Sequence, residues 1–228
     1  MRSESDEGEE ILLSPQALEK LKRRLSMEKA KSLRLELFLW RESLSALYKI
    51  GLCFGMAVCT GLLAGIRIPL PFTPVPITGQ VLGVLLSGVF LGRLFGGLSM
   101  AIYLLLGIAG IPWFAGWSSL SCFTFFANPT AGYLIGFILA SLFIGGRVDR
   151  KIRNRFFWPQ LKLMLIGVLI IYASGAFWLF LLTRATLSKI VVMAVLPFIP
   201  GDLFKAFLAT SISASLLPKK SYNGEIDR

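Results

Sequence analysis

LKLMLIGVLIIYASGAFWLFLL, residues 161–182, carries one charge, Lys162, close to its start. A hydrocarbon core of about 30 Å takes about 20 apolar residues as a helix, so this stretch is long enough to cross a bilayer. It runs between GRVDRKIRNRFF, residues 146–157, and the pair Arg184 and Lys189. Charge confined to the two ends is the signature of a spanning helix. Working outward, further apolar stretches run over Leu44–Ile66, Gly79–Leu91, Leu94–Ile111, Ala131–Ile144 and Gly201–Leu217, the last carrying Asp202 and Lys205. The chain of 228 residues is 55% hydrophobic and only 16% charged, which excludes an ordinary water-soluble globule.

The expected fold is therefore all-α: a polytopic membrane protein with six transmembrane helices in the cell membrane. Ten of the 24 Lys and Arg lie in residues 1–49 and six more in 147–162. With six spans, 20 bases fall on the side of both termini, three (Arg67, Arg184, Lys189) on the other, and Lys205 within a span. The positive-inside rule then makes both termini cytoplasmic. A net charge of +11 would suit a nucleic-acid binder. Here the bases instead cluster between apolar stretches, so they encode topology in a lipid bilayer and no nucleic-acid partner is expected.

Residues 1–43 read as a cytoplasmic tail, polar and acidic over MRSESDEGEE, then an amphipathic basic helix opened by Ser14 and Pro15. Residues 44–217 form the membrane domain and 218–228 a short cytoplasmic tail. Prolines 69, 71, 74 and 76 in RIPLPFTPVPIT make an extended loop after the first span, and the turn at Gly92 and Arg93 makes the second and third spans a hairpin. PWFAGWSSLSCFTFFANP, residues 112–129, is uncharged but rich in turn formers, and is expected to fold against protein at the outer interface. Cys53, Cys59 and Cys122 lack metal-ligand spacing and read as buried small hydrophobes; with no histidine, no metal or catalytic triad is expected.

Acidic residues are absent between Glu42 and Asp149, and between Asp149 and Glu225 there is one, Asp202. A carboxylate or a lysine at the centre of a span costs on the order of 2.5 to 3.5 kcal/mol. Asp202 and Lys205 are three apart and share a helix face, with Pro200 and Gly201 placing Asp202 in a first turn whose free N–H groups favour an anion. An ionised carboxylate only accepts hydrogen bonds and an ammonium only donates them. A cyclic urea, with two N–H donors flanking a carbonyl, presents the complement. Thr78, Gln80, Ser118 and Asn128 are further candidate polar contacts, with Trp113, Trp117, Phe126 and Tyr133 as aromatic ones.

Two small-residue ridges run along the first span, Gly51, Gly55 and Cys59, and Ala57, Gly61 and Gly65. They permit close helix approach, either within the protein or to a partner subunit. No phosphate-binding G-x-x-x-x-G-K-[ST] occurs, so any ATP drive comes from another chain.

PFTPVPITGQVLGVLLSGVFLG (71–92), IPWFAG (111–116), NPTAGYLIGF (128–137) and PFIPGDLFKA (197–206) together resemble the BioY family, over about Leu44 to Leu217. Members of that family are the biotin-binding membrane subunits of energy-coupling factor transporters. The resemblance implies a six-helix fold that captures biotin from the outer side with the proline loop as lid. It also implies vitamin contacts at Asp202, Lys205 and Gln80, and work alongside a coupling membrane subunit and ATPase subunits. GWSSL (116–120) departs from the family's glycine-rich stretch, with Trp117 narrowing the pocket; Asn128 either adds a polar contact or caps the next helix. Alternatives are a stand-alone biotin carrier, a subunit for another vitamin, or an intramembrane enzyme using Asp202 as base. No cofactor is expected and no covalent chemistry.

Overall fold

A computed structural model describes residues 15–219. The described residues are mostly helical: α1 (Pro15–Ser43), α2 (Ala46–Ala64), a two-residue β1 (Arg67–Ile68) paired antiparallel with β2 (Ile77–Thr78), and α3 (Gln80–Ile108). After these come the short α4 (Cys122–Ala127), then α5 (Ala131–Arg150), α6 (Phe157–Thr183), α7 (Leu187–Ala194) and α8 (Ile199–Leu216). Among the described residues five helical runs are long and apolar enough to cross a membrane; α7 and α8 with the turn between them count as one, and α3 as another.

α3 is not one rod. Gly92 has φ 77° and ψ −172°, a conformation open only to glycine, and it breaks the helix. A Cβ added at Gly96 would lie 2.8 Å from the Ser87 carbonyl oxygen, so the two arms fold back on each other as the expected hairpin. The turn is tied down by Asp149 at the end of α5, whose Oδ2 accepts the Arg93 amide at 2.9 Å. Arg41 on α1 donates to the Phe90 carbonyl at 3.0 Å and lies 3.6 Å from Asp149 Oδ1. The buried Phe38 ring is held between the guanidiniums of Arg41 and Arg155, at 4.4 and 4.6 Å. The C-terminal end of α1 is thus fastened to the membrane helices, while its upstream turns are exposed. Ser14 and the acidic first ten residues lie outside the described residues, as do 220–228.

α3 and α5 form the centre: 56% and 61% of their most apolar windows are buried, against 22% for α2. α2 packs on α3, α6 on α5, and α8 lies across α6 and α3. Small residues allow this closeness: Gly88 backs onto the Ser141 carbonyl, and Ser87 shares a 2.8 Å hydrogen bond with Ser141. Of the three cysteines expected inside, only Cys53 is buried. Cys59 and Cys122 lie on the outer surface, because their positions on α2 and α4 point away from the bundle.

Residues 65–79 and 109–130 close one end of the bundle. The strap over 67–78 is held by its short β ladder, by the Gly79 amide on the Ile66 carbonyl, and by Thr73 Oγ1 donating to the Met193 carbonyl of α7 at 2.7 Å. α7 thereby gives the strap its anchor.

Candidate functional site

Beneath the strap lies a cavity of about 50 Å³, room for a few waters. Val75, Pro76 and Thr78 of the strap cover it, Gln80 and Val81 open α3 beside it, and Phe114 and Ala115 come from the loop after α3. Thr130 ahead of α5, Tyr133, Leu134 and Phe137 on it, Ile171 and Tyr172 on α6, Phe198 just before α8, and Asp202 and Lys205 on α8 complete the wall.

Pro200 opens α8 and puts Asp202 in its first turn, where the helix dipole favours the carboxylate. Asp202 is 3% exposed. Its Oδ1 accepts from Lys205 Nζ at 2.6 Å and its Oδ2 from Tyr172 Oη at 2.8 Å. A buried charge of this kind is tolerated because it is paired and hydrogen-bonded on both oxygens. Each oxygen retains a lone pair and the ammonium two further donors, so the group has unspent hydrogen-bonding capacity facing the chamber.

A second polar thread enters from α3. Thr78 Oγ1 donates to Gln80 Oε1 at 2.7 Å, Gln80 Nε2 to Tyr103 Oη at 2.7 Å, and Tyr103 Oη to the Trp113 carbonyl at 2.8 Å. Trp113 Nε1 returns a bond to the Tyr103 carbonyl at 2.9 Å. Tyr133 Oη donates to the Ala194 carbonyl at 2.7 Å, tying α5 to the end of α7 and turning its ring toward the cavity.

Five sequence candidates, Thr78, Gln80, Tyr133, Asp202 and Lys205, therefore meet around one cavity. Ser118 and Asn128 do not line it. Ser118 is exposed and donates to the Ala115 carbonyl. Asn128 Oδ1 accepts from the amide and hydroxyl of Thr130, a local turn ahead of α5. Trp117 does not narrow the pocket: it lies outside, with positive φ, over Gly65. Tyr172 was missed. Its signal was present, the single tyrosine of α6 in an apolar run, since a buried phenol needs a partner.

The glycine ridges of α2 part company. A Cβ at Gly51 or Gly55 would meet nothing within 4 Å, whereas one at Gly61 would lie 3.0 Å from Trp113 and one at Gly65 2.7 Å from Trp117. Ala57 is fully buried. Gly51 and Gly55 thus stay open on the outer face, and Ala57, Gly61 and Gly65 are covered from within.

Fold and cavity together define a helical, multi-pass membrane protein built around one charge-paired chamber. A family model described as the BioY family matches residues 33–221, and the chain belongs to that family. Among curated relatives, the probable biotin transporter BioY of Methanothermobacter thermautotrophicus is 46% identical, covering 62% of this chain and 94% of its own. The biotin transporter BioY of Thermotoga maritima is 37% identical over 68% of this chain and 88% of its own. A solved structure described as the S-component for biotin from an ECF-type ABC transporter superposes with a TM-score of 0.69 at 26% identity, covering 78% of this chain and 96% of that one.

Proposed function

We propose that this protein takes up biotin as the substrate-binding membrane subunit of an energy-coupling factor transporter. Its membership of the BioY family and its likeness to biotin transporters support that reading. The observation that carries it at atomic level is the Asp202 carboxylate, held between Tyr172 and Lys205 beneath the proline strap. The ureido ring of biotin fits this group, its N–H donors meeting the free lone pairs of Asp202 and its carbonyl the ammonium of Lys205. Gln80, Thr78 and Tyr133 border the rest of the ligand.

On this reading residues 44–217 cross the cell membrane six times, counting the two arms of α3 separately, with residues 1–43 and 218–228 cytoplasmic and the strap on the outer side. The subunit binds and releases biotin without covalent chemistry. A coupling membrane subunit and ATPase subunits supply the drive, the open ridge at Gly51 and Gly55 being the docking face. The strap covers the cavity and is the element that lifts to admit biotin.

Binding of labelled biotin to purified protein tests the proposal. Saturable binding that weakens at least tenfold in Asp202→Asn and in Lys205→Ala is expected; undiminished binding in both would remove the assignment.

A further inference from the structure

At the end opposite the cavity, the turn between α5 and α6 builds a groove of about 670 Å³ that takes no part in the proposed site. Arg147, Lys151, Arg153 and Lys162 line it, and no acidic residue does. Among the described residues none of these four cations has a carboxylate partner; Arg147 rests on the Phe143 ring at 5.2 Å. Their spacing is fixed, because the turn is stitched back to α5: Asn154 Nδ2 donates to the Arg147 carbonyl at 2.8 Å and Arg155 Nε to that of Val148 at 3.3 Å.

The groove changes character along α6. Lys162 is followed one turn deeper by Ile166, 44% exposed, with Leu163 and Phe143 beside it, and Trp158, 71% exposed, stands at the rim. Cations above an apolar wall, with an indole at the rim, is the order of a phospholipid read from headgroup to acyl chain. A free phosphate ion would use only the upper half. We propose that this groove binds an anionic phospholipid, its phosphate among Lys151, Arg153 and Lys162 and its chains along Phe143, Leu163 and Ile166.

The test is native mass spectrometry of the full-length protein, exchanged into equimolar palmitoyl-oleoyl phosphatidylglycerol and phosphatidylcholine, which share the same tails. Selective retention of phosphatidylglycerol is expected. Each neutralised cation should lower it about fivefold, so Lys162→Gln loses about fivefold and Arg153→Gln/Lys162→Gln about 25-fold, with biotin binding unchanged as the check on folding. Equal retention of both lipids, undiminished retention in the double variant, or displacement of phosphatidylglycerol by equimolar inorganic phosphate would overturn the proposal. So would a matching gain in retention on Glu225→Gln/Asp227→Asn, which would make the acidic C-terminal residues the natural occupant.

Discussion

Tyr172 and Asp202, on different helices, are joined by a 2.8 Å hydrogen bond that leaves the carboxylate accepting from α6 on one oxygen and from its own helix on the other. The phenol thereby fixes the plane of the acid against the cavity. Bonds to charged groups contribute about 1.5–3 kcal/mol. Tyr172→Phe, which keeps the ring against Phe198, is expected to weaken biotin binding by about ten- to a hundredfold in titration calorimetry; full affinity would mean that the acid needs no second donor.

Lys205 separates stability from recognition. Lys205→Met strands a buried carboxylate and should destabilise the protein by about 3–5 kcal/mol, because breaking a buried pair leaves an uncompensated charge. Asp202→Asn/Lys205→Met removes both charges and should recover most of the lost thermal stability in detergent while remaining unable to bind biotin. Recovery of binding in the double variant would show that the pair only locks α8 in place.

The strap is held to α7 by Thr73, whose hydroxyl donates to the Met193 carbonyl at 2.7 Å. Thr73→Val keeps the shape and removes this bond and the one its hydroxyl accepts from the Val75 amide, each worth about 1 kcal/mol. Biotin should then both bind and leave about fivefold faster, as measured by stopped-flow fluorescence. Unchanged rates would place the gate elsewhere.

Gly55 and Gly61 lie on the same helix and should respond oppositely. Gly55→Trp projects into open space, so biotin binding should persist while co-purification with the coupling subunit is lost. Gly61→Leu drives into Trp113, which belongs to the thread reaching Gln80, and should impair folding and biotin binding together. Intact assembly in Gly55→Trp would exclude this face as the docking surface.

The Gly92 reversal predicts a backbone effect. A Cβ there would meet Asp149 Oδ2 at 2.5 Å on a backbone with φ 77°. Gly92→Ala should lower the melting temperature markedly, and adding Asp149→Asn should not restore it, since the strain of the backbone remains.

The helical architecture and the cavity's charged centre were legible because the bilayer is an unforgiving solvent. It forces long uncharged runs, and it makes a lone Asp202 stand out in an acid-free stretch. Positions governed by tertiary geometry were less so. Ser118 and Asn128 have the chemistry of ligand contacts, but their hydrogen bonds are satisfied within their own turns. Trp117 follows a motif near the cavity yet points outward, since its backbone turns to positive φ. Two ridges with the same four-residue spacing read alike in sequence, and only the packing of Trp113 and Trp117 tells the covered one from the open one. The fastening of α1 by Phe38 and Arg41 depends on Asp149 and Arg155, more than a hundred residues away, and no local pattern announces it.

The reversal at Gly92 also sets a depth. From that turn to Gln80 the first arm of α3 rises about 18 Å, well short of the roughly 30 Å of hydrocarbon that surrounds it. With the charged turn at one border of the slab, the floor of the chamber is sunk some distance below the other, and the proline strap rather than a helix fills the dip. With the strap on the outer side, as proposed, a vitamin held beneath it would already lie part of the way through the insulating layer before any neighbouring subunit moves.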